Sequence, residues 1–207
     1  MSTEIPAALV RVIDDDEAMR RSLVFLIESV GLEARAYARA QDFLEDACPE
    51  RTGCLILDVR MPGMSGIELQ AAMLRQDIDL PVLFLTGHGD IDMAVNAMKA
   101  GAFDFIEKPF RDQRLLDAVS RAVRENEERQ AARSELTSAR TAFLRLTPRE
   151  REVARLVADG LTNKAIASSL DISEKTVHIH RANALHKMAT SSAAELATLL
   201  MRLGEKS

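Results

Sequence analysis

Cys54-Leu55-Ile56-Leu57-Asp58 is a continuous apolar run that stops at an acid. A run this short, with no alternation of polar residues, reads as a strand buried on both faces. Strands buried on both faces belong to parallel sheets covered by helices. Two further runs have the same form: Leu9-Val10-Arg11-Val12-Ile13, which ends at Asp14, and Val82-Leu83-Phe84-Leu85, which ends at Thr86. Residues Ala34 to Tyr37 supply a second strand and Phe103 to Ile106 a fifth. The segments between them carry helical spacing. Glu17 to Val30 places Leu23, Leu26, Ile27 and Val30 on one face and stops at Gly31. Ala40 to Ala47, Gly66 to Gln76 and Asp90 to Ala100 follow, and a fifth helix begins at Gln113. Strand and helix alternate five times between residues 8 and 125, which predicts an α/β fold with a five-stranded parallel, doubly wound sheet.

Such a sheet gathers its chemistry at the carboxyl ends of the strands. Asp14 and Asp15 follow the first strand, Asp58 the third, Thr86 the fourth and Lys108 the fifth. Crowded carboxylates repel one another unless a cation neutralises them. An open site of hard oxygen donors favours Mg²⁺, which takes few carboxylates and keeps several waters. Asp58 would then stand as an ionised nucleophile, a role carboxylates fill in forming aspartyl phosphates. Lys108 would hold it and afterwards pair with a phosphoryl oxygen, and the Thr86 hydroxyl would hydrogen-bond another. A lone Asp after a strand is an ordinary turn residue; it is the convergence of these side chains that makes a site.

The 207-residue chain is 47% hydrophobic and has no Trp, so its cores are aliphatic. No apolar run approaches the length of roughly 18 residues that a membrane span needs. The first eight residues lack the basic and apolar pattern of a signal peptide. Cys48 and Cys54 are too few for a disulfide framework and read as reduced thiols, as in a cytoplasmic protein. The net charge of -5 is unevenly spread. Residues 1–125 carry 14 Lys/Arg against 22 Asp/Glu, whereas 144–207 carry 10 against 7. An acidic front and a mildly basic back predict two domains with different partners.

Residues 126–143 are polar and contain no Gly or Pro. They read as a helical linker or hinge, with a short coiled coil as the alternative. Residues 144–205 contain four helical segments and no strand. Thr147-Pro148-Arg149-Glu150 is a helix start, with a capping Thr, Pro at the first helical position and Glu three residues on. Thr162 caps a second helix through Leu170, Ser173 a third to Met188, and Ser191 or Ser192 opens a fourth. A short helix, a tight turn at Asp171-Ile172 and a longer helix form the arrangement that lays the longer helix in a DNA major groove. Ile166, Leu170 and Ile172 line the inside of the turn; Val177, Leu185 and Met188 anchor the long helix. Glu174, Lys175, His178, Arg181 and Ala182 are expected to face outward. Lys164, Lys175 and Arg181 suit phosphates, and His178 and Arg181 suit base edges. His178, His180 and His186 do not share a face at ligand spacing, so no metal site is expected there.

Four motifs carry a family resemblance. They are Val12-Ile13-Asp14-Asp15-Asp16-Glu17, Leu57-Asp58-Val59-Arg60-Met61-Pro62-Gly63-Met64-Ser65-Gly66, Phe84-Leu85-Thr86-Gly87-His88-Gly89 and Phe105-Ile106-Glu107-Lys108-Pro109-Phe110. With them, residues 8–125 resemble a response-regulator receiver domain, which is a flavodoxin-like fold. The resemblance implies that Asp58 accepts phosphate from a sensor histidine kinase. It implies Mg²⁺ on Asp15, Asp58 and the backbone carbonyl of Arg60, with Asp14 acting through water. Thr86 and Phe105 match the family's switch pair.

The stretches Leu146 to Val153, Gly160 to Ala167 and Ser173 to Arg181 make residues 144–205 resemble a LuxR-type helix-turn-helix domain. The two domains together resemble the FixJ/NarL family, and Val177 to Asn183 with Gly87 to Asp90 look closer to the FixJ branch. Lys164, Lys175, Thr176, His178 and Arg181 are the expected DNA contacts, although Ala182 stands where some relatives have a basic residue. The implied function is a phosphorylation-activated transcriptional regulator, an activator that binds promoter DNA as a dimer and works with RNA polymerase. It is not a turnover enzyme. A phosphatase reading lacks a second acid two residues after Asp58, where Arg60 stands, and an adaptor that binds protein in place of DNA is the other rival.

Overall fold

A computed structural model describes residues 8–46, 51–87 and 91–205. The chain divides into two compact units between Gln130 and Ala131. In the first unit, strands β1 (Leu9–Ile13), β2 (Glu33–Tyr37), β3 (Gly53–Asp58), β4 (Val82–Thr86) and β5 (Asp104–Glu107) form one sheet in the order β2-β1-β3-β4-β5. All four neighbouring pairs are parallel, so the predicted doubly wound α/β architecture is present.

The strand period of two divides the side chains between two cores. Ile13, Leu55, Leu57 and Phe84 join Phe43 of α2 (Ala40–Asp46) and Leu69 and Met73 of α3 (Gly66–Arg75) on one face. Val10, Val12, Cys54, Ile56, Leu83 and Leu85 pack on the other against Leu23 and Ile27 of α1 (Glu17–Glu28) and Leu115 and Val119 of α5 (Asp112–Leu144). Arg11, inside β1, is buried as well; its guanidinium donates to the carbonyls of Leu9 (3.1 Å) and Arg51 (3.2 Å).

Boundaries differ from the sequence reading in a few places. β5 begins one residue later than expected, because the ladder starts with Leu83 opposite Asp104. Phe103 stays outside the strand: its N–H donates to Val82 O at 2.8 Å, and its ring lies under the Arg121 guanidinium. Helix α4 is Ile91–Lys99. The expected helix start at Asp90, the end of the second helix at Ala47, the motif residues His88 and Gly89, and Cys48 lie outside the described residues. Helix α5 is continuous through 126–143. Asn126, fully buried, accepts from Gly53 N (2.9 Å) and donates to Asp79 O (2.8 Å), so α5 is fastened to the amino ends of β3 and β4 at this residue.

The second unit holds the last part of α5 with α6 (Pro148–Ala158), α7 (Asn163–Leu170), α8 (Glu174–Lys187) and α9 (Ala193–Leu203). Its core is Phe143, Val153, Ile166, Val177, Ala184, Met188, Leu196 and Leu200. The caps are those the sequence announces. Thr147 and Glu150 form a reciprocal capping box on α6, and Thr162, Ser173 and Ser192 cap α7, α8 and α9. Asp171 ends α7 in the left-handed conformation (φ 51). Glu150 is 3% exposed and also takes the Lys187 ammonium at 2.7 Å, which ties the start of α6 to the end of α8.

Candidate functional site

The site in the first unit is set by strand register. β1 and β3 are adjacent with Ile13 opposite Leu57, so Asp14, just past β1, and Asp58, the last residue of β3, stand side by side at the carboxyl edge of the sheet. Lys108 follows β5, and its backbone N–H donates to Thr86 O at 2.7 Å, which holds the loop against the end of β4. Its Nζ donates to Asp14 Oδ2 (2.8 Å) and to Asp58 Oδ1 (2.7 Å). One ammonium is thereby shared between two acids 44 positions apart in the chain (14 and 58). Burial works against the Lys108 charge, but the hydrogen bonds it donates to both carboxylates outweigh this and hold the ammonium's pKa above the ordinary lysine value.

The remaining polar atoms are matched locally. Asp58 Oδ2 accepts from Arg60 N (2.8 Å), and Asp14 Oδ1 accepts from Asp16 N (2.9 Å). Arg20 donates to the Asp14 carbonyl at 2.7 Å. Gly66, the first residue of α3, lies so close to this edge that a Cβ there would sit 2.4 Å from the Asp58 carbonyl oxygen. The Asp58 side chain is 12% exposed against 3% for Asp14. Asp58 is therefore the acid of the pair more open to an incoming group. Asp15 is exposed beside them, and Asp16 is committed to capping α1 through Ala18 N and Met19 N.

Two carboxylates and one ammonium leave a net negative charge at a site only partly open to water, an arrangement that favours a further cation. Among the described residues no three His, Cys, Asp or Glu side chains are gathered as a ready ligand set. Mg²⁺ needs fewer: one or two carboxylates with carbonyls, waters or phosphate oxygens suffice. Asp15, Asp58 and the Arg60 carbonyl are donors of that kind, so the residues present fit the ion.

Thr86 is 2% exposed and ends β4. It lies two residues beyond Phe84 and so shares that residue's sheet face. Phe105 is the register partner of Phe84 on β5, with ring centroids 6.3 Å apart, and is itself only partly buried. The two residues expected to act as a switch thus lie on one face of neighbouring strands.

In the second unit α7, a turn and α8 form a helix-turn-helix. Val177, Ala184 and Met188 are buried in the core. Lys164, Lys175 and His178 are exposed as expected. Thr176 is partly covered, with its hydroxyl 2.8 Å from the capping Ser173 hydroxyl. Arg181 is placed differently from the outward position expected: it is half-buried and donates to Asn163 Oδ1 at 3.0 Å, linking α8 to the start of α7. Sequence reasoning passed over Asn126, Asn163 and the Glu150–Lys187 pair, because each works through a tertiary contact that has no short-range pattern, and over Arg20, whose bond to a carbonyl six residues away depends on the loop conformation. It also passed over Ile179, an apolar residue 51% exposed on α8.

Comparison with known proteins agrees with this division. Residues 10–120 match the family model of the response regulator receiver domain. Residues 144–200 match that of the bacterial regulatory proteins of the luxR family. The chain is 47% identical to Nodulation protein W of Bradyrhizobium diazoefficiens, over 95% of this chain and 87% of the relative. It is 48% identical to the transcriptional regulatory protein FixJ of the same organism, over 93% of this chain and 94% of the relative. Among solved structures, the response regulator StyR superposes with a TM-score of 0.86 at 45% identity, covering 95% of this chain and 99% of that one. Full-length FixJ from B. japonicum gives 0.59 at 42% identity, covering 97% and 98%.

Proposed function

Because the chain belongs to the response-regulator family, with a receiver domain followed by a LuxR-type DNA-binding domain, we propose that Asp58 is its phosphate acceptor and that phosphate there controls binding of the second domain to promoter DNA. The observation that carries this reading is the Lys108 ammonium held between Asp58 and Asp14, with Asp58 the more open of the two.

The chemistry is direct. An Asp58 carboxylate oxygen attacks the phosphorus of a phosphohistidine on a sensor histidine kinase. The P–N bond breaks and the imidazole leaves, its released nitrogen taking up a proton from solvent. No general base is needed, since a carboxylate carries no proton that must be removed before it attacks. Lys108 then pairs with a phosphoryl oxygen, and the Thr86 hydroxyl turns to donate to another. Receiver domains bind Mg²⁺ at the phosphorylation site; here Asp15, Asp58 and the Arg60 carbonyl would hold it directly and Asp14 through water. When bound, the ion supplies positive charge to the phosphoryl oxygens. The movement of Thr86 opens space on its sheet face for Phe105, and the shift alters the surface of the fourth helix, fifth strand and fifth helix.

That surface dimerises, joining two weak DNA contacts into one stronger one. Lys164, Lys175, Thr176 and His178 meet the DNA, while Arg181 steadies α8 against α7. We assign residues 8–125 to the receiver, 126–143 to a helical linker and 144–205 to the DNA-binding domain. The protein acts in the cytoplasm as an activator that contacts RNA polymerase; it is a regulator and does not turn over substrate. The test is DNA affinity before and after treatment with a small acyl phosphate. The wild-type protein gains affinity by about tenfold or more, and Asp58→Ala gains none. A gain retained in Asp58→Ala overturns the reading.

A further inference from the structure

Helix α8 carries its apolar residues on two sides. Val177, Ala184 and Met188 face the core. Ile179 does not: at about 100° per residue it stands about 200° round from Val177. It is 51% exposed. Its neighbours on the outward face, Lys175 four residues before and Ala182 and Asn183 three and four residues after, are exposed too. The centre of the surface that a helix-turn-helix offers to a groove is therefore a branched hydrocarbon side chain, flanked by the polar Lys175 and Asn183 and by the small Ala182.

A single exposed apolar residue needs no explanation elsewhere on a protein. Its position is what gives this one meaning. In the major groove, each base pair shows a pattern of donors and acceptors, and only thymine adds a methyl group, which is read by apolar contact. Ile179 has no polar atom on its side chain, so the base feature it suits is that methyl. Ala182 favours the same contact, because its short side chain lets this part of the helix approach the groove floor. Arg181 does not compete for the place. It lies toward the core side of α8, with its guanidinium on Asn163.

Resting on the DNA-binding reading above, we propose that Ile179 is a specificity-determining residue that reads the C5-methyl group of one thymine in each half-site. Thymine against deoxyuridine at that step isolates the contact, since the two bases differ only in the methyl.

The experiment starts by selecting preferred sequences from a randomised duplex pool with the full-length phosphorylated protein. Each thymine of the selected site is then replaced singly by deoxyuridine and affinity is measured by fluorescence anisotropy. The wild-type protein loses roughly three- to tenfold at one thymine per half-site, the scale of a buried methyl contact. Ile179→Ala, at an exposed position that leaves the fold intact, binds thymine and deoxyuridine sites equally. Ile179→Val keeps the discrimination. If no deoxyuridine replacement weakens the wild-type protein, or if Ile179→Ala keeps the same discrimination, the proposal is overturned while DNA binding stands. If the pool yields no preferred sequence at low salt, the DNA-binding reading fails and the proposal with it.

Discussion

At the scale of single residues, the site depends on how one ammonium balances two acids. Lys108 is largely covered, and removing it leaves Asp14 and Asp58 facing each other without a cation. Lys108→Ala is expected to destabilise the first unit by about 2 kcal/mol, measured by urea unfolding at neutral pH, since uncompensated charge in a partly dry site is unfavourable. Added Mg²⁺ should restore more stability to Lys108→Ala than to the wild-type protein, because the ion binds the folded form and replaces the missing charge. Equal effects of Mg²⁺ on the two proteins would count against a cation site at these acids. Most of this constellation was legible in the sequence, since Asp14, Asp15, Asp58, Thr86 and Lys108 each stand at or within two residues of the end of an apolar run and a parallel sheet brings run ends together. What could not be read was the local matching of lone pairs by Arg20, Arg60 N and Asp16 N. Those bonds depend on loop conformations, which have no periodic signature.

At the scale of elements, two contacts decide how helices sit on the cores. Gly66 lets α3 begin against the end of β3. Gly66→Ala would drive a methyl into the Asp58 carbonyl, and should cost at least about 2 kcal/mol as well as slow phosphate uptake, followed by thermal melting and phosphorylation rate. Glu150 does similar work in the second unit, where it caps α6 and holds Lys187 of α8. Burial raises its carboxyl pKa, but Lys187 and Thr147 outweigh that and set it below the ordinary 4.5. A depressed folded value means the contribution is complete above that ordinary value and is lost as pH falls through the lower folded one. The wild-type second unit should therefore weaken in this acid range, and Glu150→Gln should show a flatter dependence in urea unfolding at a series of pH values. The caps themselves were legible from Thr147, Thr162 and Ser173. The Lys187 partner was not, because Glu150 is already explained by its capping box, and the sequence gives no sign that a second bond is made 37 residues away. The unbroken helix α5 was only partly legible. A polar stretch without Gly or Pro permits a helix, but it is the burial of Asn126 that fastens this one to the sheet.

At the scale of the whole molecule, an acidic receiver half is joined to a mildly basic DNA-binding half. DNA affinity should therefore fall steeply as salt rises, and Lys175→Ala should reduce the slope of log affinity against log salt by about one if that ammonium meets a phosphate. An unchanged slope would place Lys175 away from the backbone. The charge division was visible in the sequence, but the excess of positive charge is small, and it took the helix-turn-helix and its exposed Lys164, Lys175 and His178 to give that charge a partner. Control of the second domain by the first starts at Asp58. The most direct measurement is the phosphate content of the full-length protein after incubation with a small acyl phosphate and Mg²⁺, read by intact mass and mapped by peptide mass. Up to one phosphoryl group per chain is expected, located on the peptide that contains Asp58 and absent from Asp58→Ala; a full equivalent retained by Asp58→Ala would contradict a phosphate acceptor at this residue.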